Sequence, residues 1–213
     1  MSAPSLRRIW LCADDYGISP GVNRGIRDLI ERQRLNATSV MVVGPAVDRD
    51  EIVALQAAAS THCAIGLHAV LTAPFYPLTM HFKPLAGGQF LPLSKLLRVS
   101  LLRRLDGEII RTELSAQIAK FIELFGRAPD YLDGHQHVQL FPQICDAFLD
   151  AAKSGAPGAW VRQCGRAQPF RHGLGAPKAL LLDGLSRQFR RKAARVGIPF
   201  NPGFAGAYDF TDG

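Results

Sequence analysis

The chain has 213 residues, 47% of them hydrophobic, and a formal net charge of +7. That is enough apolar material for one sizeable core, and no apolar run reaches the length of a membrane span. The charge excess lies wholly in residues 151–213, densest at Arg187, Arg190, Arg191, Lys192 and Arg195. Their helical spacing suits a solvated helix face. A patch for phosphates, anionic lipid or nucleic acid would want aromatic interleaving or a recognisable module, and neither is present, so no nucleic-acid partner is expected.

Apolar, strand-like runs alternate with helix-like segments along the chain. Residues 8–13 read as a buried strand, with Ile9-Trp-Leu-Cys-Ala13 as its apolar run, and 21–34 as a helix opened by Ser19-Pro20-Gly21. Residues 37–43 are continuous and partly β-branched, as a buried parallel strand should be. A helix over 46–59 and a strand over 62–68 follow, the latter ending at His68. Residues 72–106, rich in Pro and Gly and then in Leu and Arg, are too long for an ordinary connection and read as an active-site insertion. Residues 108–125 form an amphipathic helix with Ile109, Leu114, Ile118, Phe121, Ile122 and Phe125 on one side, stopped by Gly126 and Pro129. A strand over 130–135, a helix over 142–153, a strand over 158–163 and a helix over 178–196 complete the series.

Repeated βα units predict a single α/β domain over 1–213 with a parallel sheet, open or closed into a barrel. No glycine fingerprint for a dinucleotide is present. The ending, Tyr208-Asp-Phe-Thr-Asp-Gly213, comes soon after a sixth strand-like stretch and looks unfinished for a closed barrel. An unclosed barrel exposes a strand edge, so pairing of two copies as a homodimer is an expectation. Cys12, Cys63, Cys145 and Cys164 show no CxxC spacing and read as buried thiols of a reducing compartment. With an N-terminus unlike a signal peptide, this points to the cytoplasm.

Three groups of reactive side chains fall at three consecutive strand ends: Asp14 with Asp15, His68, and Asp133-Gly-His135-Gln-His137. In a parallel barrel all such ends face one rim, so these residues converge although distant in sequence. Adjacent carboxylates at a strand end point to different sides, so one can hold a metal while the other moves a proton. One carboxylate and two imidazoles suit a divalent metal and leave open positions for water and substrate. His135 and His137 alternate along an extended segment and face opposite ways, so one of them is the ligand. Asp133 either orients a histidine from behind or caps a turn. Arg162 either pairs with a catalytic carboxylate or holds a developing oxyanion. His62, His81 and His172 lack supporting context and are read as surface or loop residues.

The chain resembles the YdjC-like carbohydrate deacetylases over residues 8–165. The resemblance rests on four motifs in order: Ala13-Asp-Asp-Tyr-Gly-Ile-Ser-Pro-Gly-Val-Asn23, Gly66-Leu-His-Ala-Val-Leu-Thr72, Phe121-Ile-Glu-Leu-Phe-Gly-Arg-Ala-Pro129 and Tyr131-Leu-Asp-Gly-His-Gln-His-Val-Gln-Leu-Phe-Pro142. It implies a distorted parallel (β/α) barrel of the glycoside hydrolase/deacetylase type, C-terminally incomplete in this chain. It implies a divalent metal ion, described in the family as magnesium, with Zn2+ the alternative. Matched by motif, Asp14 is the general base, and Asp15, His68 and His135 are the metal ligands. His137 is a further pocket histidine and the one motif histidine left to serve as acid. The implied substrate is an N-acetylated saccharide, of the chitooligosaccharide kind, or in a hopanoid-associated branch an N-acetylglucosaminyl lipid. Two departures stand out. The usual third histidine of the cluster is Gln139, a peripheral position, and no His-Pro motif follows residue 142. The expectation is therefore a metal-dependent N-deacetylase with a missing acid. A catalytically impaired sugar- or metal-binding remnant is the alternative. A phosphodiester hydrolase would need a second ligand cluster that the sequence lacks.

Overall fold

The computed structural model describes residues 9–167 and 177–206. Strand β1 (Cys12–Tyr16) leads into helix α1 (Pro20–Glu31), β2 (Ala37–Val40), α2 (Arg49–Ala59) and β3 (Ala64–Ala69). Ser19 caps α1 by accepting from Val22 N, with Pro20 in the first turn; Asp48 caps α2 by accepting from Glu51 N at 2.8 Å. Residues 72–106 carry a small hairpin, β4 (Leu85–Ala86) with β5 (Gln89–Phe90), and helix α3 (Leu93–Leu101). Helix α4 (Gly107–Phe125) is capped by Asp106 and stopped by Gly126 in the left-handed conformation, φ 69°. Strand β6 (Tyr131–Gly134), a 3-10 turn over His135–Leu140, α5 (Ile144–Gly155), β7 (Trp160–Val161) and α6 (Pro177–Val196) follow.

The main sheet is parallel throughout, in the order β1-β2-β3-β6-β7. The sheet curls so far that its two edges approach. Trp10, before β1, lies 5.7 Å from Trp160 of β7, and Arg162, just past β7, reaches Asp14 of β1 at 2.7 Å. Among the described residues β1 and β7 share no ladder, so this is an α/β fold with a curled open sheet rather than a closed barrel. The sixth strand-like stretch contributes one parallel bridge, Val161 to Phe200; Tyr208–Gly213 lie outside the described residues. No helix among the described residues is long and apolar enough to cross a membrane.

Three local expectations are corrected. Ile9, Trp10 and Leu11 are not buried: they are 67%, 52% and 57% exposed, because β1 starts only at Cys12 and is an edge strand. Helix α4 buries Ile110 rather than Ile109 or Ile122, and places Glu113 and Gln117 on the same buried face. The five-residue basic run is not one uniform solvated face: Lys192 pairs with Asp146 at 2.6 Å and Arg190 is half-buried, while Arg187, Arg191 and Arg195 are exposed.

The floor of the curl is aromatic. Tyr131 is fully buried and stacks on Trp160 with ring centroids 4.6 Å apart. Gly66 on the neighbouring β3 makes room for it, since a Cβ there would sit 2.5 Å from the Tyr131 ring. We predict that Gly66→Ala forces the ring to shift and destabilises the fold by about 1–3 kcal/mol. Thermal unfolding monitored by circular dichroism checks this, at about 2–4 °C of Tm per kcal/mol for a chain this size.

Candidate metal centre and its carboxylate network

Asp14 and Asp15 sit where the β1–β2 register slips between Ala13 and Tyr16, and Asp15 has φ 65°. Such an irregularity re-aims side chains at a sheet edge, and here it sends the two carboxylates to different partners. Asp15 Oδ1 lies 2.8 Å from His135 Nδ1 and 3.1 Å from His68 Nε2. Asp14 accepts from Arg162 at 2.7 Å through Oδ2, and from Ser39 Oγ at 3.1 Å and Cys12 Sγ at 3.2 Å through Oδ1.

His68, near the end of β3, is 3% exposed. Its Nδ1 donates to Asp133 Oδ1 at 2.6 Å and lies 3.2 Å from Ser39 Oγ. Asp133 on β6 is fully buried beside it, and its other oxygen touches Arg162 Nη2 at 2.6 Å. Asp133 therefore orients a histidine from behind instead of capping a turn, and Arg162 takes the carboxylate-pairing alternative. Gln139 is fully buried and donates to Arg162 O at 3.0 Å, so it holds the arginine's backbone and is not peripheral.

The segment after β6 is not extended. It forms a 3-10 turn in which Gln136 and His137 take left-handed dihedrals, and this turn separates the two histidines. His135 faces Asp15, with its ring edge-on to His68 at 5.5 Å and to Phe75 at 5.8 Å. His137 turns toward Phe204, centroids 5.6 Å apart. His62 and His81 are exposed; His172 lies outside the described residues. Cys63, Cys145 and Cys164 are buried free thiols, and Cys12 is half-buried beneath Asp14 with Tyr131 OH at 3.0 Å.

Asp15, His68 and His135 bring one potential ligand atom each within 4.8 Å of one another. These residues fit a divalent ion. The carboxylate behind His68 occupies Nδ1 and leaves Nε2 toward Asp15, the usual support for a metal-binding imidazole. A hollow of about 540 Å3 between α1 and α2, lined by Arg27 and His62 among others, takes in none of these groups.

The electrostatics follow from this packing. Burial alone pushes Asp14 up, but Arg162 and His68 outweigh it and hold the carboxyl down at about 2. Burial likewise opposes ionisation of Asp15, and the two histidine hydrogen bonds carry it well below the usual carboxylate range. Burial pushes His68 down, yet Asp133, Asp15 and Asp14 together raise it to about 10. His137, buried and near the Arg162 cation, falls to about 4 and is neutral at pH 7. Arg162 stays protonated, because Asp133 and Asp14 overcome its burial.

The YdjC-like protein family model matches residues 8–212. The chain belongs to the YdjC-like family. It is 32% identical over 158 residues to a human protein named carbohydrate deacetylase, a match covering 72% of this chain and 47% of that relative. A solved structure from Enterococcus faecalis, described as a proposed cellobiose-phosphate cleavage protein, superposes with a TM-score of 0.62 at 19% identity. That match covers 89% of this chain and 64% of the other, and at this identity it speaks for the fold. The chain thus spans about half the length of the curated relative it matches.

Sequence reasoning missed Ser39, Phe75 and Phe204, which contact the site. Ser39 carried a weak signal as a polar residue inside an apolar strand; Phe75 and Phe204, in irregular segments, carried none. Three outcomes follow from the geometry. Asp133→Asn should weaken divalent-ion binding by about 10–100-fold, while His137→Ala leaves it intact, as measured by titration calorimetry with Mn2+ or Zn2+. An ion must also displace the His68 proton, so its affinity should rise with pH up to about 10 with measurable proton release. In the ion-free protein the raised His68 value contributes stability that is complete below its unfolded value of about 6.5. That contribution should fade as pH rises through about 10, which urea titrations in chelator check.

Proposed function

We propose that the chain is a metal-dependent hydrolase that removes the acetyl group from an N-acetylated sugar. The observation that carries this reading is a divalent-ion ligand group placed beside a separate, arginine-anchored carboxylate: Asp15, His68 and His135 next to Asp14. Family membership and the name of the human relative support the same class of substrate. Asp15, His68 and His135 would hold a divalent ion, which would supply Lewis acidity and a lowered pKa for a neighbouring water.

Asp14 is the proton carrier. Arg162, Ser39 and Cys12 fix its two oxygens, so it accepts a proton from water in one defined geometry. The hydroxide adds to the acetyl carbon. Arg162 and His68 favour the ionised form of Asp14, so once protonated it gives its proton up readily. It returns that proton to the nitrogen as the C–N bond breaks, giving the amine and acetic acid, whose proton then passes to the amine or to solvent to leave acetate. Both proton transfers thus pass through one carboxylate. His137, neutral at pH 7, serves as a hydrogen-bonding wall rather than a resting proton source. Arg162 stays with its two carboxylates, positioning Asp14 and offsetting its charge.

Asp14→Asn preserves size but cannot accept a proton. It should lower deacetylation by roughly 10²–10⁴-fold with divalent-ion binding retained. Acetate release from a panel of N-acetylated saccharides and glycolipids is the measurement. Near-normal turnover in this variant would remove Asp14 from the mechanism. Ion binding by the unaltered chain without turnover on any member would favour a binding remnant.

A further inference from the structure

Glu113 lies in the middle of α4 and is fully buried. Its carboxylate faces the insertion: Oε1 accepts from Leu78 N at 3.1 Å, and Oε2 accepts from Thr79 N at 2.9 Å and Thr79 Oγ1 at 2.7 Å. One turn along the same helix face, Gln117 donates to Glu113 Oε1 at 2.9 Å. Gln117 also closes a two-way pair with Val70, donating to its carbonyl at 2.8 Å and accepting from its N–H at 2.9 Å. Val70 is two residues beyond His68. The insertion loop and the strand that carries His68 therefore hang from adjacent turns of one rigid helix.

The segment that Glu113 grips is one wall of a groove of about 230 Å3, lined by Tyr76, Leu78, Thr79, Met80 and Leu85. Its apolar members are solvent-exposed: Tyr76 60%, Met80 95%. The Tyr76 hydroxyl accepts from Gln89 Nε2 at 3.1 Å. The preceding residue, Phe75, is buried edge-on against His135, which ties this end of the groove to the ligand group. An aromatic face and aliphatic side chains beside a polar rim suit the C–H face of a pyranose ring.

We propose that Glu113 is a positioning residue for a second sugar subsite: it sets the Tyr76–Met80 wall at a fixed separation from His68, and this wall receives the ring adjoining the one that is deacetylated. An oligosaccharide then depends on Glu113, whereas a monosaccharide and the divalent ion do not. The kinetic part rests on the deacetylase reading; the clamp itself does not.

The test uses the full chain with Glu113→Gln, which loses one acceptor and turns an amide toward the Thr79 donors, and Thr79→Val, which removes one donor. In Glu113→Gln, hydrogen exchange over residues 76–80 should accelerate by at least about tenfold, with Mn2+ affinity unchanged. KM for an N-acetylated disaccharide should rise roughly tenfold with kcat held, and the monosaccharide should be unaffected. Thr79→Val should act in the same direction to a smaller extent, and it carries the test if Glu113→Gln does not fold. Unchanged exchange over 76–80, parallel loss of Mn2+ affinity, or equal losses for mono- and disaccharide would overturn the proposal. A wild-type chain that deacetylates no saccharide would defeat the deacetylase reading alone, and the exchange and Mn2+ measurements would still decide the clamp.

Discussion

Arg162 touches two carboxylates at once, Asp14 at 2.7 Å and Asp133 at 2.6 Å, from a position almost out of solvent. Burying such a group is costly unless its charge is matched, and removing one partner of a buried pair leaves the other uncompensated. The chain meets that demand with a lattice rather than a pair. Asp133 passes from Arg162 to His68, and His68 passes to Asp15, so one cation organises side chains from β1, β3 and β6. Gln139 secures the arginine from its backbone side. The placement of Asp15, His68 and His135 is a product of this lattice as much as of those three side chains.

The fold gives the lattice an anchored back and an accessible front. His68 and Asp133 are sealed between strands, while Asp14 and Asp15 remain about a third exposed at the β1 edge. Local irregularity does the aiming: the register slip in β1 separates the two aspartates, and the left-handed pair Gln136 and His137 separates the two histidines. Regular strands alone would have placed neighbouring side chains on fixed alternating faces.

Much of this was legible in the sequence. The alternation of apolar runs located the parallel strands and five of the helices, although β1 lies a few residues later than expected and α3 went unread. Strand-end placement grouped the Asp14–Asp15 pair, His68 and the His135–His137 pair, and the family resemblance singled out Asp15 and His135, which do meet His68. What failed, failed for tertiary reasons. Ile9-Trp-Leu looked buried because apolarity does not reveal that a strand lies at an edge. Helix periodicity could not distinguish Ile110 from Ile109, nor show that Glu113 and Gln117 face inward to hold backbone from other segments. The 3-10 turn at His135 was invisible because its left-handed residues are not glycines. Arg162 was noticed, but only packing decides between two roles open to an isolated arginine.

The contact between Asp133 and His68 gives the molecule an internal gauge. The imidazole N–H at Nδ1 points at a carboxylate oxygen and the ring is 97% shielded from water. A proton held so tightly and so far from solvent trades places with bulk water slowly, and its magnetic resonance is displaced far downfield of ordinary amides. That one signal reads the integrity of β3, β6 and the arginine behind them together. It would reveal whether the centre is assembled before any sugar, ion or product is added.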